Sequence, residues 1–411
     1  MICIPLLLFI GVIDRLATGE TVLAFAHRDH SRFDSSNVRS FLRRAGPRRV
    51  PLSVLMMTIL SSGCANGPPI ASPQTISPSR ARAMMDTSVP RSAADREGWV
   101  TDMYGAFTAL SVEPSRENIC AVAAVIAQES GFRVDPIVPN LPAVAWKEID
   151  RRAERAGVPP FLVHTALKLT SSTGRTYAER IDGARTEKDL SDIYEDFIGT
   201  VPMGRTLFAE HDPIRTRGPM QVNVVFAEQY SADKPYPYPV KVSIADELFT
   251  RRGSLYFGTA HLLDYPAPYD SYLYRFADFN AGQYASRNAA FQNAVSVVSG
   301  IRLATDGALL PHGGDEKDPG STELAVRALS RRLNLDDAAI HGALELGKSG
   351  SFERTSLYLR VFALADQAKG RPIPRELVPH IQLHGPKISR NLTTAWYAGR
   401  VDQRFRRCLM Q

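Results

Sequence analysis

The sequence predicts a mainly α body with little sheet, and three observations carry that expectation. A strongly apolar stretch, Ile119 to Ala127, has both a helix start and a helix stop around it. Further segments with apolar residues at helical spacing fill the chain from Ala143 onward, and Gly and Pro punctuate them. From Arg91 to Gln411 no linker long enough to divide domains and no internal repeat interrupts this pattern.

Each element has its own justification. Ile119, Val122, Ala123, Ile126 and Glu129 form one helical stripe; Ser115 is the expected N-cap, Glu117 lies in the first turn, and Gly131 releases the chain. Residues Ala143 to Ala156 carry Val144, Ile149 and Ala153 among charges and stop at Gly157 with Pro159 and Pro160 behind. Phe161 to Leu169 and Glu187 to Ile198 follow as helices. Lys234 to Pro239, with three prolines alternating with tyrosine, is expected as an extended loop whose aromatics either stack on sugar or pack on the body. Helices are then expected over Leu255 to Leu263, Ser271 to Phe279, Ser286 to Val298, Thr322 to Leu333, Asp336 to Leu346, Phe352 to Ala368 and Leu392 to Arg407. Leu310 to Gly320, with its glycines, reads as a loop.

Composition narrows the function. A chain of 411 residues with 44% apolar and 22% charged residues is globular, and a formal net charge of +6 is too diffuse to indicate nucleic acid. It suits an anionic polymer or a lipid surface. The nine histidines lack ligand spacing, so neither a catalytic metal nor any other cofactor is expected. Gly347 to Ser351 has neither nucleophile-elbow nor phosphate-loop spacing, and Gly313-Gly314-Asp315 is too short to indicate nucleotide binding.

Residues 1–63 read as a signal region with an upstream extension. Arg43, Arg44, Arg48 and Arg49 precede the apolar Val50 to Leu60, which is too short to span a bilayer, and small residues lead to Cys64. This resembles a bacterial lipoprotein signal with Cys64 as the lipidated residue, although Ser61 stands where that pattern prefers an aliphatic side chain. Residues 64–90, rich in Pro, Ser and Ala, are expected as a flexible tether ahead of a body at 91–411. Ala65 carries no inner-membrane retention signal, so the expected location is the periplasm, anchored to the outer membrane. Cys120 and Cys408 remain in the body: either they bridge, or Cys120 is a small buried residue and Cys408 is unpaired.

Three islands carry the chemistry: Gln128-Glu129-Ser130-Gly131-Phe132, Gly218-Pro219-Met220-Gln221-Val222-Asn223 and Ala277-Asp278-Phe279-Asn280-Ala281-Gly282. A carboxyl group ending an apolar helix holds its proton longer than a solvated one, as a general acid must. In this order the islands resemble the lytic transglycosylase and goose-type lysozyme superfamily, whose pattern is Glu-Ser, then Gly-Leu-Met-Gln, then Tyr-Asn-Ala-Gly. Pro219 replaces the Leu and Phe279 the Tyr. Residues Arg390 to Val401 look like the family's late Arg-x-Tyr-Val helix, with Tyr397 as the tyrosine that approaches the acid. Nearly ninety residues separate Glu129 from Gly218, far more than in the family, so 133–217 would be a large helical insertion. The layout is also similar to an uncharacterised family of proteobacterial lipoproteins.

The resemblance implies a lysozyme-like body acting on peptidoglycan glycan strands. Glu129 would protonate the glycosidic oxygen between MurNAc and GlcNAc and then deprotonate the C6 hydroxyl, closing a 1,6-anhydro ring; Tyr397 would orient it. Ser130, Gln221 and Asn280 would bind substrate, Met220 would wall the cleft and Gly282 would permit close backbone approach. A non-catalytic peptidoglycan-binding lipoprotein and a hydrolytic muramidase are the alternatives.

Overall fold

Seventeen α-helices and four two-residue strands make up the parts of the computed structural model that are described, residues 76–200, 212–311, 319–383 and 391–411. The signal region, Cys64 and most of the expected 310–320 loop lie outside those residues. The protein is mainly helical, as its sequence predicts. All of the described residues fall in one compact unit.

The first helix, α1 (Pro78–Ser88), lies within the stretch expected as tether, and this corrects that expectation for its second half. Ser77 caps it by accepting from the Arg80 amide, and Ala81 and Met85 are fully buried. Pro at the first helical position and two apolar residues one turn apart outweigh the polar composition around them. The next helix, α2 (Arg96–Ala109), was not singled out in the sequence; it buries Trp99, Met103 and Phe107. Then comes α3 (Arg116–Glu129), capped by Ser115 through the Asn118 amide, as the sequence implies.

Within 133–200 lies a small helical assembly: α4 (Leu141–Arg155), α5 (Pro160–Ala166), α6 (Tyr177–Asp182) and α7 (Glu187–Gly199), around Leu141, Leu167, Tyr177, Ile181 and Ile193. Thr176 and Thr186 close capping boxes on α6 and α7. Strands β1 (Thr216–Arg217) and β2 (Val222–Asn223) then pair antiparallel, Arg217 opposite Val222, and carry the second island as their turn.

The main core gathers α2, α3, α8 (Val224–Asp233), α10 (Arg251–Leu263), α11 (Tyr272–Ala281) and α17 (Thr394–Leu409), with the short α9 (Ile244–Glu247) alongside. Tyr236 of the proline-rich loop stacks on Phe257 at 5.1 Å and donates to Glu247, so the loop packs on the body. A second core joins α12 (Ala285–Ser299), α13 (Ser321–Arg327), α14 (Ser330–Leu333), α15 (Asp337–Glu345) and α16 (Ser356–Lys369). The single helix expected over 322–333 is thus two, parted at Ala328 and Leu329. The last expected helix begins two residues late, because Leu392 and Thr393 form β4, paired with β3 (Gln382–Leu383).

Candidate active site

Three helices frame the candidate site. At one end of the frame, Tyr272 at the start of α11 donates to Asn118 Oδ1 near the start of α3 at 2.7 Å and packs on Phe405 of α17, ring centroids 4.8 Å apart. Cys120 and Cys408 are joined in a disulfide beside it, and Arg116 donates to the Leu409 carbonyl at 3.0 Å. The two cysteines therefore bridge. At the other end, the Tyr397 hydroxyl donates to Glu129 Oε1 at 2.5 Å, and Thr394 Oγ1 donates to Asn280 Oδ1 at 2.9 Å. These contacts make α17 antiparallel to both α3 and α11. The ends of α3 and α11 consequently meet the start of α17, where Thr394 and Tyr397 are one turn apart and project from one side.

Electrostatics at this end follow from burial. Tyr397 is 6% exposed; removal from water, and then the neighbouring Glu129 carboxyl, push its hydroxyl well above the usual phenol range, so it remains a donor at any physiological pH. Glu129 itself is half-buried at the last position of α3. The chain leaves the helix through two left-handed residues, Gly131 and Phe132, at φ of 60° and 61°. Phe132 packs edge-on against Trp99 at 5.2 Å, which anchors that exit.

The other expected residues divide. Asn280 is exposed and held by Thr394 beside the Tyr397 turn, and Gly282 adopts φ of 108° with open space where a Cβ would stand. Backbone conformation alone already favours glycine at 282. Met220 is fully buried, its sulfur against Gly258 and its amide donating to Ser254 Oγ at 3.0 Å, so it anchors the β1–β2 turn and walls no cleft. Ser130 is 7% exposed and its hydroxyl donates to the Ile126 carbonyl at 3.2 Å, closing the helix end. Gln221 sits at φ of 52°; its amide nitrogen donates to Glu187 Oε2 at 2.8 Å and its amide oxygen accepts from Thr216. Gln221 is thus tied to α7 and its own hairpin.

Residues 92–411 match a family profile described as protein of unknown function (DUF1615). The chain belongs to the DUF1615 family. It is 51% identical over 360 residues to "Uncharacterized protein YaiW" of Escherichia coli (strain K12), covering 88% of this chain and 98% of that one. No solved structure matches it.

Sequence reasoning missed three residues that hold the island side chains of this DUF1615 chain in place. Asp278 is fully buried and accepts from the Tyr265 and Tyr269 hydroxyls at 3.0 and 2.8 Å and from the Tyr284 and Ser286 amides at 2.9 and 2.7 Å. It thereby caps α12, whose own N-cap Tyr284 offers no side-chain bond, and it fixes the turn containing Gly282. Burial raises its carboxyl above the usual range even though these donors pull the other way. A lone carboxylate between Ala277 and Phe279 was the available clue. Thr394 and Glu187 had none, since a threonine at a helix start and a glutamate in a first turn are ordinary there.

Proposed function

We propose that the protein is a lytic transglycosylase with a lysozyme-like body, 133–217 as an inserted lobe, and a lipid anchor at Cys64 that tethers it to the outer membrane in the periplasm. The observation carrying this reading is the Tyr397 to Glu129 hydrogen bond, made at the end of an apolar helix one turn of α17 from the Thr394 to Asn280 bond. Tyr397 fixes the rotation of the carboxyl group. Glu129 gives its proton to the glycosidic oxygen as the C1–O bond breaks. The resulting carboxylate takes the proton of the C6 hydroxyl as that oxygen closes on C1. Acid and base are one group, so the enzyme returns to its starting protonation and no water is consumed. Asn280, exposed beside this pair, supports the reading as the side chain that would meet an acetamido or hydroxyl group.

The test is digestion of purified sacculi followed by mass analysis of the released muropeptides. Wild-type protein releases 1,6-anhydro products, and Glu129→Gln releases none while melting at an unchanged temperature. Activity retained in Glu129→Gln ends the assignment. Products with reducing ends, heavier by one water, identify a muramidase instead.

A second reading is a peptidoglycan-binding lipoprotein without turnover, favoured by one observation: Ser130 and Gln221 spend their polar groups inside the protein. Capture on sacculi without soluble product from the wild type establishes that reading.

A further inference from the structure

A cavity of about 320 Å³ opens on the flank of α3 away from Glu129, between the end of α1 and the last turns of α17. Its floor is Ala123, Ala124, Ala127 and Phe132, and Arg404 and Arg407 stand over it. By helix periodicity the three alanines are turned roughly 120–160° from Glu129 around α3, so the cavity is separate from the acid. Its volume is at the small end for ligand sites.

The charge there is unbalanced. Arg400, Arg404 and Arg407 follow one another along one side of α17, and no carboxylate among the described residues pairs with any of them. Arg406, on another side, pairs with Asp402 at 2.8 Å. Burial, then the nearby Arg400 and Arg407, lower the Arg404 guanidinium from its ordinary value. A half-buried guanidinium beside like charges over an apolar floor is complementary to an anion that also carries hydrocarbon.

We propose that this cavity binds an amphiphilic anion, a phosphate or carboxylate head on a short alkyl body, with Arg404 and Arg407 taking the head and the Ala123, Ala124, Ala127 and Phe132 floor taking the alkyl part. The inference does not depend on the glycan-cleaving reading, because neither Glu129, Tyr397 nor Asn280 lines the cavity.

Titration calorimetry of the full chain tests it with octyl phosphate below its micelle concentration, with inorganic phosphate, and with octyl glucoside as the neutral head on the same chain. Octyl phosphate binds saturably, at least about tenfold tighter than either of the other two. Arg404→Gln with Arg407→Gln weakens it about tenfold or more, whereas Arg406→Gln changes it by less than about twofold. Displacement by phosphatidylglycerol vesicles but not by phosphatidylcholine vesicles identifies a membrane lipid as the source; displacement by neither identifies a soluble amphiphile. Three results overturn the proposal: no saturable binding, equal affinity for inorganic phosphate or octyl glucoside, or an equal loss in Arg406→Gln.

Discussion

Glu129 and Tyr397 lie 268 positions apart and meet in one hydrogen bond, so the phenol contributes to the proposed reaction only by holding the carboxyl group. Tyr397→Phe keeps the ring in the core and removes that bond. A hydrogen bond to a charged group is worth about 1.5–3 kcal/mol, so turnover on sacculi falls roughly 10–100-fold while KM changes little. His261 makes a separate prediction. Buried between Phe226 and Phe279, with centroids 4.4 and 5.0 Å away, it is pushed down from 6.5 to about 4 by desolvation. The unfolded chain takes up that proton first as pH falls. The neutral ring therefore stabilises fully above pH 6.5, and the contribution is lost as pH falls through about 4, on the order of 3 kcal/mol in all. Urea unfolding at pH 7 and 4.5 checks this: wild type loses about 2 kcal/mol more between the two than His261→Phe does. At this scale the approach of Tyr397 to Glu129 was legible, because an apolar helix ending in Glu and a motif match pointed at the two residues. Met220 and Gln221 were legible as a motif but not as to role. Which way a turn faces its side chains depends on α10 and α7, and neither lies near them in sequence.

The β1–β2 turn shows the same limit for an element. Its four residues have no regular spacing to read, yet the turn is rigidly specified: Gly218 sits at φ of 73°, and a Cβ there would lie 1.8 Å from the Leu248 carbonyl oxygen. Gly218→Ala is expected to cost about 3 kcal/mol or more, since strain and backbone collision add. Gly282→Ala, at φ of 108° but with open space, carries the conformational cost alone, about 1–3 kcal/mol. Thermal melts of the two variants, with the larger drop at 218, check the comparison. Among helices, α3 was legible to its caps because Ser115, Glu117 and Gly131 bracket one apolar stripe. By contrast α1 hid in a Pro- and Ser-rich run, where Ala81 and Met85 supply the buried face. Propensity alone under-weights so short a stripe, because its stability comes from docking on α2.

Across the whole molecule, α3 and α17 are clasped at both ends, by the disulfide at one and by Tyr397 with Glu129 at the other. The cysteines are 288 residues apart, so the bridge restricts a very long segment of unfolded chain. Replacing both with Ser is expected to destabilise the protein by about 2–5 kcal/mol, read as a lower melting temperature that reductant no longer shifts. The pairing was one of two open readings of the sequence, and spatial arrangement decided it. The overall helical character was legible because apolar spacing repeats through the body. The partition into separate cores was not, because each is closed by contacts between distant helices and no break in composition marks its edges.

The antiparallel clasp also bears on the order in which a ribosome makes the chain. Every partner that α17 supplies, Thr394, Tyr397, Phe405, Cys408 and Leu409, is polymerised after all the rest of the frame. A nascent or prematurely stopped polypeptide ending before residue 397 presents Glu129 without its phenol. In the proposed reaction the carboxyl group is oriented only once α17 has been made and docked, so a product truncated ahead of that helix lacks the orienting bond with no inhibitor required.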